Sequence, residues 1–223
     1  MSLFHSPRIV TDGLVLHLDA ANVKSYPGYG NSAYDLSGTT STGITFYNTA
    51  SITEKAFDFT PFDNDGITIA DENYLLTDFT MECLVKINGT HLHYDGALIS
   101  SGNWNSSHWA FSVLQNNNGI RTRRPHITYG YTFTVGNWYH LVFRRSSSTL
   151  NFFVNNEKSG NYTDATAIPL ESNATNTAIG RETYAGGYFN LNGKIAVARI
   201  YDRALSDSEV ATNFAALRGR YGL

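Results

Sequence analysis

Residues 136–157, GNWYHLVFRRSSSTLNFFVNNE, alternate with a period of two, and this restricts the chain more than any other feature. Trp138, His140, Val142 and Arg144 fall on one side of an extended segment, and Tyr139, Leu141, Phe143 and Arg145 on the other. A pleated strand distributes its side chains in this way and a helix does not. Ser146, Ser147 and Ser148 interrupt the run, and residues 149–154 resume it. Asn155-Asn156 then supplies two residues that tolerate the positive φ of a tight hairpin. The stretch predicts a three-strand antiparallel meander.

Further strands are expected at 14–18, 44–47, 56–59, 66–69, 79–87, 96–100, 109–114, 124–129, 177–180 and 193–201, with turn residues between them. One helix is expected near the end. Ser206 and Glu209 have the spacing of a capping box, Val210, Phe214 and Leu217 form an apolar stripe, and Gly219 and Gly222 end it. Many strands and one terminal helix predict an all-β, two-sheet antiparallel jelly-roll sandwich with a short C-terminal helix. No linker or repeat divides the series. The expected division is an N-terminal segment 1–11, one sandwich domain 12–217 and a tail 218–223 with RGRYGL as a contact arm.

A net charge of −3 with scattered basic residues argues against nucleic acid. Arg121, Arg123 and Arg124 form the one dense basic cluster and read as a solvated loop. The lone Cys83 excludes an internal disulfide and reads as a small buried hydrophobe. No segment approaches the ~18 apolar residues of a membrane helix, and the start has no signal-peptide pattern.

Three segments then carry a resemblance: DFTMECLVKI, the 136–157 stretch, and TAIGRETYAGGYFNLNGKIAVARIYDRALSDSEV. Their order and spacing resemble the concanavalin A-like, laminin-G/pentraxin-like sandwich domains. Gly193, Ile195, Arg199, Tyr201, Arg203, Leu205, Ser206 and Glu209 match the most specific pattern, while Leu84 and Asn156 stand where a tryptophan and a glycine are usual. The two ends, DGLVLHLDAANVKSYPG and NFAALRGRYGL, resemble lectin-like structural proteins of tailed bacteriophages. This implies a non-enzymatic virion protein, made in the host cytoplasm and carried on the particle surface. It would decorate capsid or tail as a homo-oligomer or lattice-bound copy, contacting other virion proteins and host glycans. The alternatives are a glycan-active enzyme, a calcium-dependent lectin outside a virus, and a sandwich with no ligand.

Glycanases of this fold carry paired carboxylates on one strand, within reach of a single glycosidic bond. The seven glutamates here, at 54, 72, 82, 157, 171, 182 and 209, are too dispersed for that pattern. Glu82 has no acidic partner two or five residues on, and His140 reads as a structural histidine. The resemblance to the pentraxin-like branch implies a Ca²⁺ site at Asp63, Asn64 and Glu182, incomplete because 183–189 lacks further ligands. An ordinary Asx turn at 63–66 is the competing reading. Sugar binding calls for aromatic faces with short polar side chains beside them. Trp104 and Asn105 in SGNWNSSHW, and Tyr184 and Tyr188 in ETYAGGYFN, have that mixture, while Trp109 opens a strand and reads as core.

Overall fold

The structure is a computed structural model. The residues it describes are 8–39, 43–60, 65–70, 74, 76–89, 95–101, 109–114, 116–123, 126–163, 176–182 and 189–223. The first strands are β1 (Leu14–Asp19), β2 (Ser32–Ala33), β3 (Ile44–Tyr47), β4 (Ser51–Thr53), β5 (Ala56–Phe59) and β6 (Gly66–Ile69). Then come β7 (Phe79–Ile87), β8 (Gly96–Ser101), β9 (Trp109–Val113), β10 (Gly119–Arg123) and β11 (Ile127–Gly130). The chain continues with β12 (Trp138–Ser146), β13 (Thr149–Val154), β14 (Glu157–Lys158), β15 (Tyr162–Thr163), β16 (Thr177–Ile179), β17 (Gly193–Tyr201) and helix α1 (Asp207–Tyr221).

These strands form two antiparallel sheets. Sheet A runs β14-β13-β12-β7-β17-β5-β4, with β1 also on β17 and β15 on β13; sheet B runs β11-β10-β9-β8-β16-β6-β3-β2. The expected sandwich is therefore present, and the meander at 136–157 is β12, β13 and β14. Asn155 and Asn156 take φ of 50° and 70° in its second turn. One apolar layer fills the space between the sheets. Met81, Cys83 and Val85 of β7, with Leu141 and Phe143 of β12, meet Phe111, Val113, Ile120 and Ile179 of sheet B. Burying such side chains contributes about 1.5–3 kcal/mol each. Trp109 is core, as expected.

The outer face of sheet A lies under α1. Alternation alone would keep Ile195, Val197 and Arg199 on one side of β17. A register shift between Ile195 and Val197 inserts Ala196 as a bulge residue and reverses the frame. Ala198 and Ile200 consequently enter the sandwich core, while Val197 and Tyr201 join two small clusters beneath the helix. Arg199, now outward, pairs in register with Glu82.

Between those clusters lies a buried polar network. Glu82 Oε1 accepts from Arg199 Nη1 and His140 Nε2, each at 2.8 Å. Glu82 Oε2 accepts from Asn213 Nδ2 at 2.8 Å, and the same amide nitrogen donates to Tyr201 Oη at 2.9 Å. Val10 N–H donates to Asn213 Oδ1 at 2.8 Å, which ties the N-terminal segment to the helix. The helix stripe is thus Val210, Asn213 and Leu217, not the expected Val210, Phe214 and Leu217. Phe214 is half-buried and lies 5.5 Å from the His140 ring. The capping box at Ser206 and Glu209 forms as expected. Gly219 does not end the helix. The chain stays helical to Tyr221, with Gly222 at φ 72° as the cap, so most of RGRYGL is the last helical turn rather than a projecting arm.

Burial opposes the charge on Glu82, but Arg199, His140 and Asn213 outweigh it and bring the carboxyl down to about 2. Burial and then Arg199 push the His17 imidazole down to about 4, so it is neutral in the fold. Each group makes stability fall in acid. His17 withdraws stability as pH drops from its ordinary 6.5 towards 4, and Glu82 as pH drops from 4.5 towards 2. We predict that His17→Leu removes the upper limb of the melting-temperature profile between pH 3 and 8 while the lower limb stays. Arg199→Met should cost roughly 3–5 kcal/mol at neutral pH, because it strands a buried carboxylate. A profile that His17→Leu leaves unchanged would contradict the first assignment, and a near-neutral Arg199→Met the second.

Candidate functional site

The outer face of sheet B is polar, and its strands dictate why. In β10, Ile120 and Thr122 point inward and leave Arg121 and Arg123 on the outer face. The solvated loop expected at Arg121 and Arg123 is therefore a strand; Arg124 lies outside the described residues. Ala110 and Ser112 of β9, in register with Arg123 and Arg121, share this face. They are buried along with Ser100 and Ala178, so a floor of small side chains runs across the middle of the sheet.

Gly180 then turns the chain across that floor. Its φ of 80° is left-handed, and a Cβ there would meet the Phe59 ring at 2.8 Å. Beyond the turn, Arg181 C=O accepts from Ser100 Oγ at 2.8 Å. The Arg181 guanidinium covers the Tyr47 ring at 3.9 Å and donates to Thr68 at 3.2 Å. Gly66 makes room for this side chain, since a Cβ there would lie 2.5 Å from Arg181 carbons.

Two carboxylates sit among these arginines. Asp95 Oδ2 lies 2.8 Å from Arg121 Nη1. Glu182 Oε1 lies 3.2 Å from Arg123 Nε, and that guanidinium also covers the Phe189 ring at 4.0 Å. Glu182 is only 3% exposed, and among the described residues neither of its oxygens accepts a hydrogen bond. Burial pushes its carboxyl up to about 7, Asp95 adds to the rise, and Arg123 only partly opposes it. The ion pair therefore does not compensate for desolvation. A buried acid that titrates near neutrality on a polar face marks a functional-site candidate.

The other residues expected to act are distributed as follows. Trp104, Asn105, Tyr184 and Tyr188 lie outside the described residues, as do Asp63 and Asn64. Segment 102–108 lies between β8 and β9 in the sequence, and segment 183–188 follows Glu182 directly. Asp65, next to the expected calcium ligands, is buried. Its carboxylate accepts from the backbone N–H and the hydroxyl of both Thr49 and Thr60, as an Asx-type staple would. Glu182 faces a guanidinium, a poor neighbour for a divalent cation, and the described residues contain no group of three His, Cys, Asp or Glu side chains fit to hold a metal. Of the three expected ligands only Glu182 is described, and its arginine neighbour disfavours a cation beside it. Melting curves with calcium and with chelator check this directly, and the Arg123 contact predicts that they superimpose.

Glu182 and its neighbours make a further prediction. A carboxyl raised in the fold contributes fully below its ordinary 4.5 and costs stability as pH rises through about 7. Glu182→Gln should match the parent protein at pH 4 and exceed it by roughly 1–3 kcal/mol at pH 8. A variant less stable than the parent at pH 8 would mean that the Arg123 pair outweighs burial.

Residues 62–211 match the sequence profile of the concanavalin A-like lectin/glucanases superfamily. No curated protein gives a significant match. Trypanosoma rangeli sialidase in complex with sialic acid superposes with a TM-score of 0.68 and 17% identity, over 93% of this chain but 33% of its own. The chain thus spans about a third of the sialidases it resembles. Domain 4 of AbnA, a GH43 extracellular arabinanase from Geobacillus stearothermophilus, in complex with arabinotriose, gives 0.64 and 18% identity over 91% of this chain and 98% of that one. The binding domain of botulinum neurotoxin serotype D/C gives 0.69 and 12% identity, over 93% of this chain and 53% of its own. At these identities the likeness is one of fold. With both sheets, the terminal helix and the matched profile in agreement, the chain belongs to the concanavalin A-like lectin/glucanases superfamily.

Proposed function

We propose that this protein is a lectin-like glycan-binding module that does not hydrolyse its ligand, and that it rides on a virion as a capsid or tail decoration. The observation that carries the binding role is the outer face of sheet B. Over a buried floor of Ala and Ser it gathers Arg121, Arg123 and Arg181 with Asp95 and Glu182, and the partly exposed Arg121 and Arg123 are the donors that sugar hydroxyls would meet. The stacking residues expected from the sequence, Trp104, Tyr184 and Tyr188, belong to segments that follow β8 and Glu182 in the chain. A domain of similar length and fold, from the arabinanase, is recorded with arabinotriose, which supports an oligosaccharide as the ligand class. The virion role is supported by the likeness of both termini to tailed-phage structural proteins. It implies a homo-oligomer or lattice-bound copy that touches other particle proteins.

One observation favours a second reading. A carboxyl held up near 7 beside another carboxyl suits a general acid of glycoside hydrolysis, which makes Glu182 the residue to watch, with Asp95 its companion. Glu82 has no such role, since Arg199, His140 and Asn213 outweigh its burial and hold its carboxyl down to about 2 beneath α1. Calorimetry with arabinotriose and a panel of bacterial surface glycans, alongside assays for released reducing ends, separates the readings. Saturable binding weakened by Arg123→Ala, with no product formed, is the expected result. Sustained product release that Glu182→Gln abolishes would establish the enzyme reading instead, and the absence of binding to any glycan would overturn both.

A further inference from the structure

Exposed apolar side chains gather at one rim of the sandwich. Five large hydrophobic residues are exposed among the described residues, and three of them, Val23, Tyr29 and Tyr34, come from the β1–β2 connection and its end. They are 76%, 77% and 56% accessible. The same connection supplies Tyr26 and Gly28, which with Val23 and the β4–β5 hairpin residues Ile52, Glu54 and Lys55 line a shallow depression of about 310 Å³. Single exposed hydrophobics are ordinary, whereas a cluster of them marks a contact surface.

Internal hydrogen bonds fix this loop in place. Ser25, fully buried, donates from Oγ to Tyr34 C=O at 2.9 Å and accepts from the Asp19 N–H at 3.1 Å. Tyr34 N–H donates back to Ser25 C=O at 2.8 Å, which brings Tyr34 against the turn that carries Val23 and Lys24. Tyr26 stacks on Phe46 at 5.5 Å, and its hydroxyl donates to Gly30 C=O at 3.2 Å across the tip. Gly28 and Gly30 take φ of 94° and 78° on either side of Tyr29, and their left-handed turns hold that ring out into solvent. Aromatic rings ordered in advance lose little freedom when a partner arrives.

The charge of the rim identifies the partner. Lys86 and Lys194 hold Glu54 Oε2 at 3.2 and 3.4 Å, Lys194 also meets Asp58 at 3.5 Å, and Arg220 forms a fork on Asp19. Those groups cancel. Lys24 and Lys55 are exposed, and neither forms an ion pair among the described residues. Only Asp35 stands against them, which leaves a local +1 on a chain of net charge −3. The partner is therefore anionic. Lysines are mobile point charges, and they suit a field of headgroups where an arginine fork would suit one fixed carboxylate. One loop and one hairpin tip fall short of the ~20–30 residues a side of a stable protein interface, whereas a bilayer needs only apolar contact and cations together. Tyrosine, apolar in its ring and wet at its hydroxyl, belongs at that boundary. We propose that this rim seats the protein on anionic lipid bilayers. Val23, Tyr29 and Tyr34 enter the headgroup layer, and Lys24 and Lys55 meet the phosphates. The contact is separate from the sheet B face and does not depend on glycan binding.

Sedimentation of the full chain with sugar-free vesicles tests it, using phosphatidylcholine and phosphatidylglycerol in equal parts beside phosphatidylcholine alone. Binding to the mixed vesicles should be saturable and should weaken as salt rises. The neutral vesicles should bind roughly 10–30-fold more weakly, since two lysines lose their anionic headgroups. Lys24→Gln and Lys55→Gln should each weaken binding to the mixed vesicles roughly 5-fold, the ~1 kcal/mol of one lysine near an anionic surface. Val23→Ser and Tyr29→Ser should each weaken it roughly 3–10-fold as apolar contact is lost. Lys158→Gln, on the β14 edge far along sheet A, should leave it unchanged. All of these side chains are exposed, so the variants keep the fold. No binding to the mixed vesicles, equal binding to both kinds, or parent-like binding by Tyr29→Ser and Lys55→Gln would each overturn the proposal. So would retention on immobilised polyglutamate without affinity for vesicles, which would assign the rim to an acidic protein instead.

Discussion

One buried carboxylate organises this protein. Glu82 sits at the centre of β7, and its two oxygens reach β17 through Arg199, β12 through His140 and α1 through Asn213. A lone charge in that position would cost several kcal/mol, and three charged or polar donors compensate for it. The hydrogen bonds also fix geometry. Hydrophobic clusters on either side tolerate sliding, whereas a carboxylate with three directional partners accepts one helix placement. Through Asn213 and Val10, the N-terminal segment is held in the same arrangement.

The helix divides the labour of the two sheets. Sheet A gives its outer face to α1 and leaves depressions at the two ends of the helix. Sheet B has no helix among the described residues, so its outer face holds polar side chains that bury incompletely satisfied charge. Glu182 and Glu82 are both nearly inaccessible and lie close to arginines, yet their carboxyls move in opposite directions. The difference lies in hydrogen bonding. Glu82 accepts three hydrogen bonds, and Glu182 has only one guanidinium contact among the described residues.

Most of the fold was legible in the sequence because alternation and capping are local signals. The two faces of β12 and the Ser206 box depend on residues a few positions apart. What escaped depends on distant partners or a changed frame. Asn213 is polar, so an apolar stripe passes over it in favour of Phe214. The bulge at Ala196 reverses the parity of β17, and nothing in GKIAVARIY announces it. Arg121 and Arg123 looked like loop residues because their strand is short and follows Asn-Asn-Asn-Gly, although Ile120 and Thr122 supplied the missing alternation. Analogy with the pentraxin-like branch makes Glu182 a metal ligand. Its proximity to Arg123 is a tertiary fact. The depression around Trp138 was invisible for the same reason, since its walls come from residues 19, 54, 138 and 221.

Native-state hydrogen exchange on Glu82→Gln tests the central claim, that one carboxylate fastens helix, strands and N-terminal segment together. The account predicts that amides of α1 and of Val10 lose protection as a unit. The loss should be roughly two orders of magnitude or more, in keeping with the ~3–5 kcal/mol of a broken buried pair, while Phe111 and Val113 in sheet B keep theirs. A helix that retains the parent protein's protection in this variant would show that apolar packing alone holds α1 and would contradict the account.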